Sequence, residues 1–209
     1  MDRRGTTAFV LGAGASFHAG YPFVRTLGSE LLAWMKVPRD LVSLDFADAA
    51  AFIERGFGNN IEDIFNGVQE RISHRGDGWV LLANHHKPAL IEAMRQWFAE
   101  IHRSHATLAY ERFAANIVRP GDTVITFNYD VALDSKLQRC GKWLVGDGYG
   151  FPVEPLPAGS TVRILKLHGS INWLAVLFGG SRGPFAVSTE GAFGRRPVFG
   201  SDDLSALGY

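Results

Sequence analysis

A pair of glycines set directly behind a short apolar run near the amino end constrains this chain more than any other feature. Thr7-Ala8-Phe9-Val10-Leu11 has no polar alternation, the pattern of a strand covered on both faces in a parallel sheet, and it runs straight into Gly12-Ala13-Gly14-Ala15-Ser16. After Gly20-Tyr21-Pro22, the stretch Val24 to Met35 carries Leu27, Leu31, Leu32 and Met35 at helical spacing. Strand, glycine turn and helix in that order predict an α/β fold. Such a turn brings backbone amides close enough to hold a phosphate. Its spacing is GxGxS rather than GxGxxG, and a plain strand-to-helix turn also uses glycine for steric reasons.

The strand pattern recurs twice. Pro120-Gly121-Asp122 reads as a turn leading into the β-branched run Thr123-Val124-Ile125-Thr126-Phe127, with a helix expected from Asp130 to Cys140 and capped at Gly141. Past a glycine- and proline-rich loop at Gly146 to Pro157, Val162 to Leu167 makes a third buried strand. Between the first two strands, residues 41 to 116 read as a helical insert. Its segments are Phe46 to Arg55, Ile61 to Ile72 and Lys87 to His102, the last with Leu90, Met94, Trp97, Phe98 and Ile101 as its buried stripe and Pro88 in its first turn. Residues 179 to 209 show no long periodic element, although Gly194 to Gly200 reads as a further strand. At 209 residues, one principal domain over 1–209 is expected: a Rossmann-like parallel sheet with a helical insert, its sheet still incomplete at Tyr209.

Composition removes several classes of function. Lys+Arg and Asp+Glu are both 21, which leaves no basic field for nucleic acid or an anionic membrane. Cys140 is the only cysteine, so the chain can build neither an internal disulfide nor a four-cysteine zinc module, and a reducing, cytoplasmic setting fits. Arg3-Arg4 before an apolar stretch imitates a signal peptide, but the run from Ala8 to Leu11 is too short for one. No apolar run approaches the ~20 residues of a spanning helix.

Three polar clusters follow the three predicted strands, where open α/β sheets bind ligands. The first is Gly12 to Ser16. In the second, Thr126-Phe127-Asn128-Tyr129-Asp130, Asn128 is a neutral amide able to orient a water or a ribose hydroxyl, while Asp130 is equally suited to capping the next helix. In the third, His168 is freed by Gly169 and aimed at the crevice, which makes it the best general-base candidate. The other six histidines fall on predicted helices or loops, and His102 and His105 lack partners at ligand spacing, so no metal site is expected. Trp173 reads as core or pocket wall, and Glu62-Asp63 as the first turn of a helix.

Taken together, the three clusters resemble the sirtuin superfamily: VLGAGASFHAGYP is similar to its GAGxSxxxGxP opening, TFNYD to its Thr-x-Asn-x-Asp segment and KLHGS to its His-Gly segment, in the same order. The linked forms NIEDIF, FNYDVALD and KLHGSINW are most similar to the bacterial sirtuin-like domains of NAD-consuming antiphage defence proteins. The resemblance implies that Gly12, Ala13, Gly14, Ala15 and Ser16 contact the NAD phosphates, that Asn128 and His168 are the catalytic pair, and that Asp130 lines the nicotinamide pocket. Protein-deacylating members carry a four-cysteine zinc module, which the single Cys140 rules out, so NAD+ hydrolysis without zinc is the leading expectation. Protein deacylation, ADP-ribose transfer and non-catalytic binding of NAD or ADP-ribose are the alternatives. The family's later strands hold the adenosine half of NAD, and no clear Gly-Thr-Ser or Gly-Tyr-Ser turn follows residue 170. A further segment of the protein, a second copy or a partner chain is therefore expected to complete the site.

Overall fold

The computed structural model describes residues 5–38, 45–143, 161–168, 170–171, 173–178 and 181–187, with side chains placed up to Ile171. The expected loop at 146–157, Gly169 and the expected strand at 194–200 lie outside them. Two units emerge, one formed by residues 1–21 with 101–209 and the other by 22–100.

The first unit is a mixed α/β structure on a three-stranded parallel sheet, β1 (Ala8–Leu11), β2 (Thr123–Thr126) and β3 (Arg163–Lys166), in the order β1-β2-β3. Leu11, Thr126 and Lys166 lie in one row of the register, so all three strands end level. The entry to β2 is fastened by Asp122, whose carboxylate accepts from the Thr7 amide at 2.8 Å and the Arg119 amide at 2.9 Å. Gly121 before it has φ +92°, a conformation that a side chain would strain.

Val124, Thr126, Ile164 and Lys166 are buried on one face of the sheet, and on the same face the Phe9 ring meets Phe113 edge-on at 5.1 Å. On the opposite face Val10 is 66% exposed and Phe127 and Leu167 just past the strand ends are exposed as well, while Ile125 and Leu165 are half-buried. Among the described residues the expectation of cover on both faces is thus corrected for β1. A continuous apolar run shows that a strand is buried on at least one side, and tertiary packing decides the other.

The glycine turn also differs from expectation. It does not open straight into the helix at Val24 but first winds a 3₁₀ turn, Ala13–Ala19, closed by Gly20 at φ +83°. An ideal Cβ on Gly20 would lie 2.6 Å from the His105 ring, so glycine is required there for both conformation and space. After residue 171 comes an antiparallel pair, Trp173–Phe178 with Ser181–Val187, which the sequence reading missed. The Gly179-Gly180 dipeptide between two apolar runs is the signal that points to it.

The helical unit holds α1 (Val24–Met35), α2 (Phe46–Phe57), α3 (Ile61–Ser73), α4 (Trp79–Leu81) and most of α5 (Lys87–Ser104), with a π turn at Leu82–His86. Its limits therefore differ from the expected 41–116, because α1 packs on α2 and α3 whereas residues past Glu100 belong to the sheet unit. Leu31, Leu32, Met35, Ile53, Ile61, Ile64 and Val68 are almost wholly buried. Asn60 caps α3 by accepting from the Glu62 and Asp63 amides, which places those two acids in the first turn, as expected, where they favour the helix dipole. Of the sheet unit's remaining helices, α6 (Leu108–Arg112) runs into a π turn at Phe113–Ile117, and α7 is Ala132–Arg139. Gly141, at φ +66°, follows α7 in the expected capping role.

Candidate functional site at the carboxyl ends of the strands

Because the strands end level, the three clusters emerge side by side: Gly12 after β1, Asn128 two residues past β2, and His168 two residues past β3. The chain continues the sheet pattern one step further on each side of β2, with the Phe127 amide donating to Leu11 O and the Leu167 amide to Thr126 O.

Behind this row lies a buried polar network. Asn128 is 8% exposed, its side-chain nitrogen donates to Ser16 Oγ at 2.8 Å, and its backbone amide donates to Thr126 Oγ1. Ser16, itself only 1% exposed, shares a second 2.8 Å hydrogen bond with the Tyr110 hydroxyl. Asn128 Oδ1 is buried and has no hydrogen-bond partner among the described residues. An unsatisfied buried acceptor is costly unless something beyond the described residues supplies a donor.

Asp130 accepts from the Ala132 amide at 3.0 Å and so caps α7. Burial raises its carboxyl above the usual carboxylate range, against the opposing pull of Lys166, the Ser16 hydroxyl and the Ala132 amide. Lys166 is wholly buried, donates to the backbone carbonyl of Asp130 and lies 3.4 Å from Asp134 Oδ1. Burial also raises the Tyr21 and Tyr110 hydroxyls, with the Asp130 charge as the second cause in both. His102 is shifted the other way, lowered by burial more than Asp130 raises it.

His168 is exposed and flanked edge-on by the rings of Phe127 at 5.5 Å and Tyr129 at 6.1 Å. Ser170 Oγ and the Ile171 amide both donate to Tyr129 O, which ties the segment after β3 to the segment after β2. Gly12 has an extended backbone, with φ −96° and ψ −177°, and open space where a Cβ would stand. Neither the fold nor a neighbouring atom demands glycine there, whereas a ligand approaching the backbone closely would.

Sequence reasoning named Ser16, Asn128, Asp130 and His168 and missed Tyr110, Asp134 and Lys166. Lys166 left a trace, since a lysine inside the apolar run Ile164-Leu165-Lys166-Leu167 must find a partner if it is buried. Tyr110 left none, because its role depends on a contact 94 residues away. Among the described residues no three His, Cys, Asp or Glu side chains are grouped to hold a metal, and no helix is long and apolar enough to cross a membrane. No protein-family profile matches the chain, and no curated protein sequence matches it either.

Proposed function

We propose that this chain is an NAD+ glycohydrolase that cleaves NAD+ to nicotinamide and ADP-ribose on a Rossmann-like, sirtuin-like site. The observation that carries this reading is Asn128: a buried amide just past the end of the middle strand, its nitrogen donating to Ser16 and its oxygen without a partner among the described residues. The glycine turn lies beside it after one neighbouring strand and an exposed imidazole after the other.

In the proposed reaction the bond between ribose C1′ and the nicotinamide nitrogen breaks, and its electron pair leaves with neutral nicotinamide. Positive charge is left on C1′ and the ring oxygen. Water adds to C1′ while hydrogen-bonded to Asn128 Oδ1, and His168 takes the proton that the water loses. Backbone groups of Gly12 to Ala15 face the phosphates, and Asp130 lines the nicotinamide pocket. The resemblance of the three motifs further supports a cytoplasmic role in antiphage defence, with a second copy or another chain completing the adenosine side.

Incubating the full protein with NAD+ and following free nicotinamide tests the proposal. Release that falls sharply in Asn128→Ala and His168→Ala supports it. No release by the wild type, or undiminished release by both variants, overturns it. Mass spectrometry of the product separates hydrolysis, which yields free ADP-ribose, from transfer to an acyl group or a protein side chain.

A further inference from the structure

Ser16 belongs to the glycine turn by sequence but not by exposure. Its neighbours Gly12 and Gly14 are exposed, whereas Ser16 is turned inward, 1% exposed, with its hydroxyl between Tyr110 and Asn128. A hydroxyl carries one proton and two lone pairs. Accepting from Asn128 Nδ2 and sharing a bond with Tyr110 uses most of that capacity inside the protein. A residue meant to bind phosphate would keep its donor toward the ligand.

The direction of one of these bonds is fixed by chemistry: an amide nitrogen only donates, so Ser16 Oγ accepts from Asn128 Nδ2. With Nδ2 held in this way, Oδ1 is the end of the amide that remains, and it is the atom without a partner among the described residues. The opposite orientation would take the NH₂ group away from the Ser16 oxygen that now accepts from it.

We infer that Ser16 and Tyr110 are positioning residues that fix the orientation of the Asn128 side-chain amide, nitrogen inward and oxygen toward the reacting water or ribose hydroxyl. Ser16 thereby acts through Asn128 and not on the NAD phosphates. The kinetic consequence rests on the NAD-cleaving reading of the site, while the orientation itself does not.

The experiment uses the ¹⁵N-labelled full chain and follows the Asn128 side-chain NH₂ signal, identified by its loss in Asn128→Asp. Tyr110→Phe keeps the ring and removes only the hydroxyl, and Ser16→Ala removes the acceptor. Both are expected to shift that signal and speed its hydrogen exchange about tenfold, the scale of one lost hydrogen bond. Backbone signals away from the site should stay in place. In parallel, kcat for nicotinamide release should fall about tenfold with KM for NAD+ within about twofold, the pattern of an interaction made in the transition state. Unchanged exchange of the NH₂ signal in Tyr110→Phe overturns the inference, whatever Ser16→Ala does to folding. A raised KM with unchanged kcat in Ser16→Ala also overturns it and returns Ser16 to a phosphate-binding role. A wild type that releases no nicotinamide defeats the functional reading alone, since the exchange measurement still decides the orientation.

Discussion

Asn128 and Ser16 are joined by a 2.8 Å hydrogen bond between residues 112 positions apart, and that bond ties the turn after β1 to the segment after β2. It converts two neighbouring strand ends into one polar cluster in which Asn128 Oδ1 is buried without a partner among the described residues. If that acceptor serves the reaction, Asn128→Ala lowers kcat for nicotinamide release by about a hundredfold or more, the range for losing a group that handles a proton or water in the transition state. A decrease of less than about threefold would remove Asn128 from the reaction.

Lys166 neutralises a site that contains two buried carboxyl groups, Asp130 and Asp134. Lys166→Met leaves that charge uncompensated and is expected to lower stability by about 3–5 kcal/mol in urea unfolding. Combining it with Asp134→Leu should recover part of the loss, because the stranded partner is then gone. Additive losses in the double variant would show that the pair does not interact.

Gly12 and Gly20 bracket the same turn for different reasons. Gly20→Ala places a Cβ at positive φ and against a His105 ring held by Ile101 O and Ser104, so thermal or urea unfolding should show a loss of about 2 kcal/mol or more. Gly12→Ala meets nothing and needs no unusual backbone angle, so its stability should stay within about 0.5 kcal/mol of wild type. Titration with NAD+ should nevertheless show weaker binding for Gly12→Ala. Unchanged binding would mean that no ligand approaches Gly12.

His86 is buried and stacked on Phe52 at 4.4 Å, and burial lowers its pKa below the ordinary 6.5. The unfolded chain therefore binds this proton more tightly than the folded one. Its contribution to stability is complete above about pH 6.5 and is lost as the pH falls from there through the lowered folded value. Unfolding curves between pH 7.5 and 5 should become flatter in His86→Leu. An equal pH slope in both proteins would show that this histidine does not drive the acid response.

The fold's local units were legible because each depends on neighbours in sequence. Val24 to Met35 at helical spacing, the β-branched run before Asn128, and the caps at Asn60 and Gly141 all act within a few residues, and the helices and strands form close to where those patterns place them. Position at a strand end also follows from sequence alone, so Gly12, Asn128, Asp130 and His168 could be named together. What each side chain does there could not.

Tertiary structure decided the rest through contacts between distant segments. Among the described residues it left Val10 of β1 exposed where the apolar run suggested cover on both faces. Packing assigned α1 to the helical unit and drew Tyr110 and Lys166 into the site. It turned Ser16 from the surface of a glycine turn into the interior. A hydrogen bond's partner and a residue's burial depend on which segments meet in space, and no local pattern of residues encodes that meeting. The sequence alone thus supplied the chemical groups and their order, and the folded chain fixed which of them face each other and left Asn128 Oδ1 buried without a partner among the described residues.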